Sequence, residues 1–293
     1  MNTFSNITII YNTKSTGDSQ AMAEKLQIQL QKSLPGLAID LIPTERAGHA
    51  RELARQAARA SERPLIISSS GDGGYNEVIN GVMDAANPNA ICAVLPAGNA
   101  NDHSRTMHEQ PLAKAIVEGN TSQIDLIKVT VQAAGDITSR YAHSYVGLGL
   151  TPVVAVELNS HSLNAFREII LALKTFRKYR PFKIHHNDAI LRLDSLLFGN
   201  INQMAKVLTL APENRPDDGK FEVVIFPASH KWGLVKRLAK AATTKLDTPK
   251  RCQEYHFTVI KKMPIQLDGE VMSLLAGSEV AIEAVHKTLT TIV

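Results

Sequence analysis

The sequence predicts a two-domain protein in which an α/β first domain with a mostly parallel sheet is followed by a β-rich second domain. Three observations support this fold class. The chain has 293 residues, which is longer than a single hydrophobic core usually grows, and its composition is ordinary for a globular protein. Short apolar runs alternate with helical patterns over residues 1–130, and strand-like runs prevail over residues 131–293. We therefore predict a domain boundary at residue 130.

The predicted first domain alternates strands with helices. Apolar runs predict strands at residues 7–11, 37–42, 65–68, 91–95 and 124–131, and apolar residues at helical spacing predict helices at 21–34, 47–60, 75–86 and 111–118. This order indicates a mostly parallel sheet. Ligands of such sheets bind beyond the carboxyl ends of the strands.

The predicted second domain consists mainly of strands, and periodicity leaves sandwich, barrel and open sheet as alternatives. Two helical stretches, 166–183 and 230–245, carry basic residues, so we expect weak contact with the inner face of a membrane. The alternative is that their basic faces are merely solvated. A last strand, 289–293, is compatible with packing on either domain. The other strand-like runs lie at 142–149, 184–193, 206–210, 221–226, 255–260 and 264–267.

Composition disfavours several other classes of protein. A net charge of +4 is too small to indicate a nucleic-acid partner, and no apolar stretch reaches the length of a transmembrane helix. The first residues lack the basic region of a signal peptide. Cys92 lies in an apolar run far from Cys252, which predicts a buried thiol and a cytoplasmic location rather than a disulfide.

Two glycine-rich loops follow neighbouring predicted strands. The first, Ser70-Gly71-Asp72-Gly73-Gly74, joins a strand to a helix, an arrangement that binds phosphate through backbone N–H groups. The second contains Gly98, Asn99 and Asp102. Either loop alone is equally compatible with an ordinary turn, but their repetition at one sheet edge favours a phosphate site. Because a carboxylate repels phosphate, we expect a divalent cation or a substrate hydroxyl beside Asp72.

Residues 70–81 resemble the signature loop and helix of the diacylglycerol kinase catalytic domain superfamily, which includes bacterial lipid kinases, sphingosine kinases and ceramide kinases. The resemblance covers nearly the whole chain and implies the fold of NAD kinases and diacylglycerol kinases. Residues 12–17 resemble the first nucleotide loop of the superfamily, Thr44 with residues 45–50 its second element, and residues 95–105 its later phosphate-side loop. Asp125, residues 217–221 and residues 268–270 follow in the family's order.

The resemblance implies a kinase, a transferase that uses ATP and Mg²⁺ to phosphorylate a hydroxyl of a diacylglycerol-like or sphingoid-like lipid in phospholipid biosynthesis. A lipid substrate and a homodimer are the expected partners. The residues that the resemblance assigns to the nucleotide are Asn12, Thr13, Lys14, Ser15, Thr16, Thr44, Ser70, Gly71, Asp72, Gly73, Gly74, Tyr75, Asn76, Glu77, Gly98 and Asn99.

Four acidic residues are the candidates for catalysis, namely Asp72, Asp102, Asp125 and Glu270. By resemblance to bacterial members Glu270 is the proton acceptor, whereas in sphingosine kinases the acid that matches Asp72 has this role. We favour Glu270 as the base, with Asp72 and Asp125 holding magnesium and water. The alternative for Glu270 is a plain hairpin residue, because Asp-Gly is a common turn dipeptide.

A structural magnesium site is a further expectation. The resemblance implies that the backbone carbonyls of Arg215 and Lys220 and the side chain of Asp218 bind the ion, and oxygen donors suit magnesium. The alternative is a solvated loop, because two prolines precede it.

The chain departs from the usual bacterial pattern at two phosphate-side positions. It has Ser70-Gly71-Asp72-Gly73-Gly74 where bacterial members usually have Gly-Gly-Asp-Gly-Thr, and Asn99 replaces a usual threonine. Two alternative functions follow. One is an NAD kinase-like enzyme, whose family shares a similar loop, and the other is a degenerate member that binds nucleotide or lipid as a sensor without turnover.

Overall fold

Contacts between residues divide the chain into two units. In the computed structural model, unit 1 comprises Met1–Ile124 and Lys287–Val293, and unit 2 comprises Asp125–His286. The predicted domain boundary at residue 130 stays a prediction, because a division by contacts does not show that either unit folds alone. The structure describes residues 4–13, 15, 17–98, 101–107, 110–149, 180–201, 203–204, 208–209, 215–229 and 250–293.

Unit 1 contains a parallel sheet. Its strands are β1 (Asn6–Asn12), β2 (Ile39–Thr44), β3 (Pro64–Ser70) and β4 (Ile91–Pro96), together with the last residues of β17 (Glu279–Ile292). They pair in the order β17-β4-β3-β1-β2. All seven residues of β3 are buried, which is typical of a central parallel strand covered on both faces.

Five helices accompany this sheet in the described part of unit 1. They are α1 (Ser19–Ser33), α2 (His49–Arg59), α3 (Asp72–Ala85), α4 (Asp102–Met107) and α5 (Leu112–Glu118). The Asp18 carboxylate accepts a hydrogen bond from the Ala21 N–H at 3.4 Å and so caps the start of α1. One face of α1 is buried against the core through Ala23, Leu26 and Leu30.

Unit 2 consists of antiparallel strands. Strand β9 pairs with three neighbours, β7, β8 and β12, and the Phe198 ring on β9 packs edge-on against Phe221 at a centroid distance of 5.6 Å. The strands are β5 (Thr121–Ala133), which begins in unit 1, β6 (Asp136–Ala142), β7 (Tyr145–Gly149), β8 (Phe182–His186), β9 (Ala189–Gly199), β10 (Gln203–Met204), β11 (Leu208–Thr209), β12 (Phe221–Pro227), β13 (Lys250–Cys252), β14 (Glu254–Val259), β15 (Met263–Leu267), β16 (Glu270–Leu274) and the first part of β17.

These strand pairings confirm the predicted fold class, with parallel strands in unit 1 and a β-rich unit 2. One predicted strand, 184–193, is wrong, because it is the hairpin of β8 and β9. Asn187 and Asp188 have φ angles of 46° and 60°, so both adopt the left-handed backbone that a two-residue hairpin turn requires.

Several predicted elements lie outside the described residues. They are the helix at 230–245, the helix at 166–183 except for its end, and most of the strand at 206–210. The end of the predicted helix at 166–183 is wrong, because Phe182 and Lys183 begin strand β8. Among the residues that the structure describes, no helix is long and apolar enough to span a membrane.

The predicted burial of the Cys92 thiol is confirmed, whereas the cytoplasmic location stays a prediction. Both cysteines are free and Cys92 is fully buried in β4. Burial raises the pKa of the Cys92 thiol to about 12, so this group stays protonated and uncharged near neutral pH.

Candidate functional site

The carboxyl ends of four parallel strands lie side by side in unit 1. The register pairs Asn12 at the end of β1 with Thr44 at the end of β2, and Ser70 at the end of β3 with Pro96 at the end of β4. Because neighbouring parallel strands end at the same edge, the loops predicted to bind the nucleotide all begin at this edge.

The two glycine loops contact each other directly. The Ala97 N–H donates to the Ser70 carbonyl at 2.9 Å, which joins the loop after β4 to the end of β3. A Cβ on Gly71 would lie 3.1 Å from the Gly98 Cα, and a Cβ on Gly98 would overlap the Gly71 Cα. Gly98 therefore requires glycine for the close approach of the two backbones, and a side chain at Gly71 would be tightly placed.

The first nucleotide loop packs against the same segment. The Ser15 Oγ donates to the Ala97 carbonyl at 2.6 Å, and the Gly17 N–H donates to the same oxygen at 3.1 Å. Three strand-to-helix loops of unit 1 thus form one connected surface. Lys14, Thr16 and Asn99, which are also predicted to bind the nucleotide, lie outside the described residues.

Helix α1 is fixed to this edge by a serine pair. The Ser19 Oγ donates to the Ser69 carbonyl at 2.5 Å, and the Ser69 Oγ donates to the Ser19 carbonyl at 2.8 Å. The Asn12 N–H donates to the Ser19 Oγ at 3.2 Å. These buried bonds hold the loop between Asn12 and Ser19 at both of its ends.

The departure at positions 70 and 74 has a steric explanation. Ser70 is buried, and its hydroxyl lies 2.7 Å from the Ser68 Oγ and donates to the Gly71 carbonyl at 3.0 Å. A Cβ on Gly74 would lie 2.6 Å from the Ser70 Oγ and 2.7 Å from the Ser70 Cβ. Ser70 thus occupies the space that a side chain at position 74 would need.

The residues of the first turn of α3 differ in what they contact. Asp72 is half-buried at the first helical position. Tyr75 is fully buried and its hydroxyl lies 3.2 Å from the Thr291 Oγ1, so its side chain belongs to the core. The Glu77 Oε1 accepts from the Gly48 N–H at 2.8 Å and links α3 to the loop before α2.

Asn76, Gly73 and Thr13 complete the described nucleotide candidates. Asn76 is buried, and the Asn80 Nδ2 donates to its backbone carbonyl at 2.9 Å and to its Oδ1 at 3.1 Å. Gly73 is half-buried in the first turn of α3, and Thr13 is exposed directly after β1. The Asn76 side chain therefore supports the helix, whereas Gly73 and Thr13 remain accessible.

Asp102 is buried at the start of α4. Its side chain is fully buried, and Oδ1 forms an ion pair with the Arg105 guanidinium one turn later. The negative charge of this carboxylate is compensated within its own helix. The predicted catalytic role of Asp102 stays a prediction.

Asp125 lies in unit 2 against the loop of residues 215–220. Its carboxylate is fully buried and accepts from the Gly219 N–H at 2.5 Å, and its other oxygen lies 2.9 Å from the His286 Nδ1. The Asp125 N–H donates to the Pro216 carbonyl at 2.6 Å. The described contacts of Asp125 thus give it a role in holding this loop, and its predicted role toward magnesium stays a prediction.

Glu270 follows a tight hairpin turn. Asp268 and Gly269 have φ angles of 48° and 99°, and Leu267 pairs with Glu270 across the turn. The fully buried Asp268 carboxylate accepts from the backbone N–H groups of His143 at 2.7 Å, Ser144 at 3.0 Å and Tyr145 at 2.8 Å. Glu270 is therefore an exposed carboxylate on an anchored turn.

The one side-chain ligand of the predicted structural magnesium site already has protein partners. The Asp218 Oδ2 is paired with the Arg251 guanidinium, and the Asp218 Oδ1 accepts from the Lys220 N–H at 3.1 Å. Both oxygens of the one side-chain ligand thus have a protein donor, and the magnesium site at Arg215, Asp218 and Lys220 stays a prediction. Within the described ranges no group of three or more His, Cys, Asp or Glu side chains could hold a metal ion.

Comparison with known proteins identifies the domain that carries the glycine loops. Residues 6–129 match the family model of the diacylglycerol kinase catalytic domain. The predicted resemblance to this superfamily of lipid kinases is therefore confirmed, and with it the predicted class of enzyme.

Relatives extend the similarity beyond the catalytic domain. The chain is 27% identical over 290 residues to a diacylglycerol kinase of Staphylococcus saprophyticus, covering 92% of this chain and 90% of that protein. It is 28% identical to one of Staphylococcus epidermidis, covering 89% and 84%. A crystal structure of a diacylglycerol kinase from Bacillus anthracis superposes with a TM-score of 0.71 at 20% identity, covering 99% of this chain and 97% of that one, and shares the fold.

The structural roles of Ser19, Asp268 and Arg251 were not predicted from the sequence. Ser19 stands just after Asp18, a signal for the start of a helix that could have identified it as an anchor. Asp268 and Arg251 act through partners more than 30 residues away in the sequence. Spacing along the chain contains no signal for such pairs.

Proposed function

We propose that the chain is an ATP- and magnesium-dependent lipid kinase that phosphorylates a hydroxyl of a diacylglycerol-like or sphingoid-like lipid. The observation that carries the proposal is the glycine contact between Gly71 and Gly98 inside the matched catalytic domain. Two backbones that approach this closely, next to the first turn of α3, suit an anionic triphosphate. The relatives named diacylglycerol kinases support a lipid as the acceptor.

Asp72 is the residue proposed to hold magnesium. It is a half-buried carboxylate directly beside the glycine loop, and magnesium in kinases needs one or two carboxylates because substrate phosphates and water supply the other ligands. When bound, the ion neutralises charge on the transferred phosphoryl group. The loop around Ser15 and Gly17 would enclose the phosphates from the side of α1.

Glu270 is the residue proposed as the base. Its exposed carboxylate would accept the proton of the lipid hydroxyl as the hydroxyl oxygen bonds to the γ-phosphorus and the bond from that phosphorus to ADP breaks. The anchored hairpin supports this role, because a base on a rigid turn keeps its position at little entropic cost. Asp125 and Asp102 are proposed only as acidic residues that assist Asp72 and Glu270.

Peripheral membrane contact, a homodimer and a cytoplasmic location remain predictions. The proposed acceptor requires access to lipid, and the basic segments from which membrane contact was predicted lie mostly outside the described residues. Sedimentation with vesicles of neutral or anionic lipid would test the contact directly.

The proposal is tested with γ-labelled ATP and magnesium, offering diacylglycerol, sphingosine or NAD as separate acceptors. We expect label in a lipid product and a loss of about 100-fold or more for Asp72→Ala and for Glu270→Ala. Asp40→Ala and Glu279→Ala are the matched controls, because they remove exposed carboxylates of the same two units away from the proposed site, and both should keep activity.

Three outcomes would contradict parts of this proposal. Label in NAD and none in lipid would establish the NAD kinase alternative, and nucleotide binding without transfer to any acceptor would establish the sensor alternative. Full activity of a folded Glu270→Ala protein would remove Glu270 as the base and leave Asp72 as the candidate.

A further inference from the structure

The Arg251 guanidinium lies between two carboxylates of unit 2. One of its terminal nitrogens pairs with the Asp218 Oδ2, and its Nε lies 3.3 Å from the Glu222 Oε1. Glu222 on β12 and Arg251 on β13 are directly opposed in the strand register, so the backbone fixes their separation. Asp218 belongs to the loop of residues 215–220 that leads into β12.

Glu222 makes this arrangement more than a surface ion pair. Its side chain is 1% exposed, whereas that of Arg251 is 44% exposed and that of Asp218 is 25% exposed. A carboxylate buried to this degree is stable in its charged form only when a cation or several donors compensate it. Arg251 supplies that positive charge, and its planar fork of N–H groups can serve two carboxylates at once.

Asp125 also holds the loop of residues 215–220. Gly219 donates to the Asp125 Oδ2 at 2.5 Å, and Pro216 accepts from the Asp125 N–H at 2.6 Å. Inside the loop, Asp218 accepts from the Lys220 N–H at 3.1 Å. Each described support of the loop is therefore a protein group, and a divalent ion at Asp218 would be repelled by the adjacent guanidinium.

We propose that Arg251 takes the place of the structural cation that the family resemblance implies for this loop. The guanidinium cross-links the 215–220 loop to β12 and compensates the buried Glu222, so the stability of unit 2 is independent of magnesium. This inference is separate from the proposed kinase activity, since it concerns folding and uses no residue that binds the nucleotide.

The test measures the thermal midpoint of the full chain without nucleotide, in EDTA and in excess MgCl2. The wild-type midpoint should be the same in both. Arg251→Leu should lower the midpoint in EDTA by roughly 5 °C, because two carboxylates lose their cation. Magnesium should then restore part of the loss, since the freed carboxylates offer oxygen ligands.

Three further variants make the result specific. Adding Asp218→Asn to Arg251→Leu should abolish the response to magnesium, and Lys250→Leu, which removes the exposed neighbouring cation on β13, should leave the midpoint unchanged. If Arg251→Leu does not fold, Arg251→Lys tests the proposal instead, because lysine keeps the positive charge but lacks the planar fork of N–H groups. The thermal midpoint of Arg251→Lys should be lower than that of wild type and should not change with magnesium.

Two results would overturn the proposal. One is a wild-type midpoint that rises with magnesium and loses this rise in Asp218→Asn, which would show an ion bound at the loop. The other is an Arg251→Leu or Arg251→Lys protein whose midpoint equals that of wild type, which would show that the guanidinium does not hold the loop.

Discussion

Ser70 and Gly74 form a coupled pair at the residue scale, and this coupling can be measured. Gly74→Thr should destabilise the protein by about 1–3 kcal/mol, because the new side chain overlaps the buried Ser70. This overpacking outweighs the gain of about 0.5–1 kcal/mol from removing a helical glycine. Urea unfolding measures the change in free energy, and lipid phosphorylation should fall with the distortion of the loop.

Combining Ser70→Gly with Gly74→Thr tests whether the overlap between the two side chains causes the loss of stability. In the double variant the space for the threonine is open, and the pattern becomes that of the usual bacterial loop, so stability and activity should recover. A double-mutant cycle with no coupling energy between the two positions would refute the steric explanation.

At this scale the sequence predicted which residues lie at the sheet edge but not what their side chains contact. Gly71, Gly98 and Asn12 could be placed there because each lies at or just after the end of a predicted parallel strand, and such strands end at the same edge of a sheet. The core position of Tyr75 and the bond from Gly48 to Glu77 could not, because the Glu77 partner lies 29 residues away in the sequence. The side-chain partners of a motif depend on tertiary packing.

At the scale of elements, the anchoring of the β15–β16 hairpin by the Asp268 carboxylate can be tested directly. Asp268→Ala removes the acceptor for three buried N–H groups, and each unpaired group costs about 1–3 kcal/mol, so we expect a loss of stability of about 3 kcal/mol or more. Lipid phosphorylation should also fall, because Glu270 follows this turn. Calorimetry measures the loss, and hydrogen exchange at residues 143–145 locates it.

Asp136→Ala is the matched control for this hairpin. Asp136 is the exposed first residue of β6 after a turn in which Ala134 and Gly135 also have positive φ angles. Its removal should change stability by less than about 0.5 kcal/mol. Equal effects of the two substitutions would mean that the Asp268 carboxylate is not an anchor.

Strands and helices with a clear pattern of apolar residues were predicted well, whereas two strands joined by a tight turn were not. The strands of unit 1 follow from continuous runs of Ile, Leu and Val bounded by polar residues. The hairpin at Asn187 and Asp188 has no clear sequence signal, because Asn-Asp lacks the glycine that usually marks such a turn.

At the scale of the whole molecule, strand β17 stands out because its residues are divided between the two units. Its first part pairs with β14 in unit 2, and Thr290 and Thr291 pair with Ile91 and Cys92 in unit 1. Ile292 is fully buried in the core of unit 1. Ile292→Ala should therefore lower the free energy of unfolding by about 2–5 kcal/mol, as measured by chemical denaturation.

Ile137→Ala provides the comparison, since the same atoms are removed from a side chain that is 67% exposed on β6. It should change the free energy of unfolding by less than about 0.5 kcal/mol. A small effect at Ile292 would show that the last residues of β17 are not part of the core.

The route of β17 has a consequence for biosynthesis. The Thr291 hydroxyl donates to the Cys92 carbonyl across a separation of 199 residues, so a strand of the first sheet is encoded after all of unit 2. A nascent chain on the ribosome cannot complete the nucleotide-side sheet until the translation of unit 2 has finished. Until then the edge of β4 stays uncovered, and an uncovered strand edge offers unpaired backbone groups to other chains.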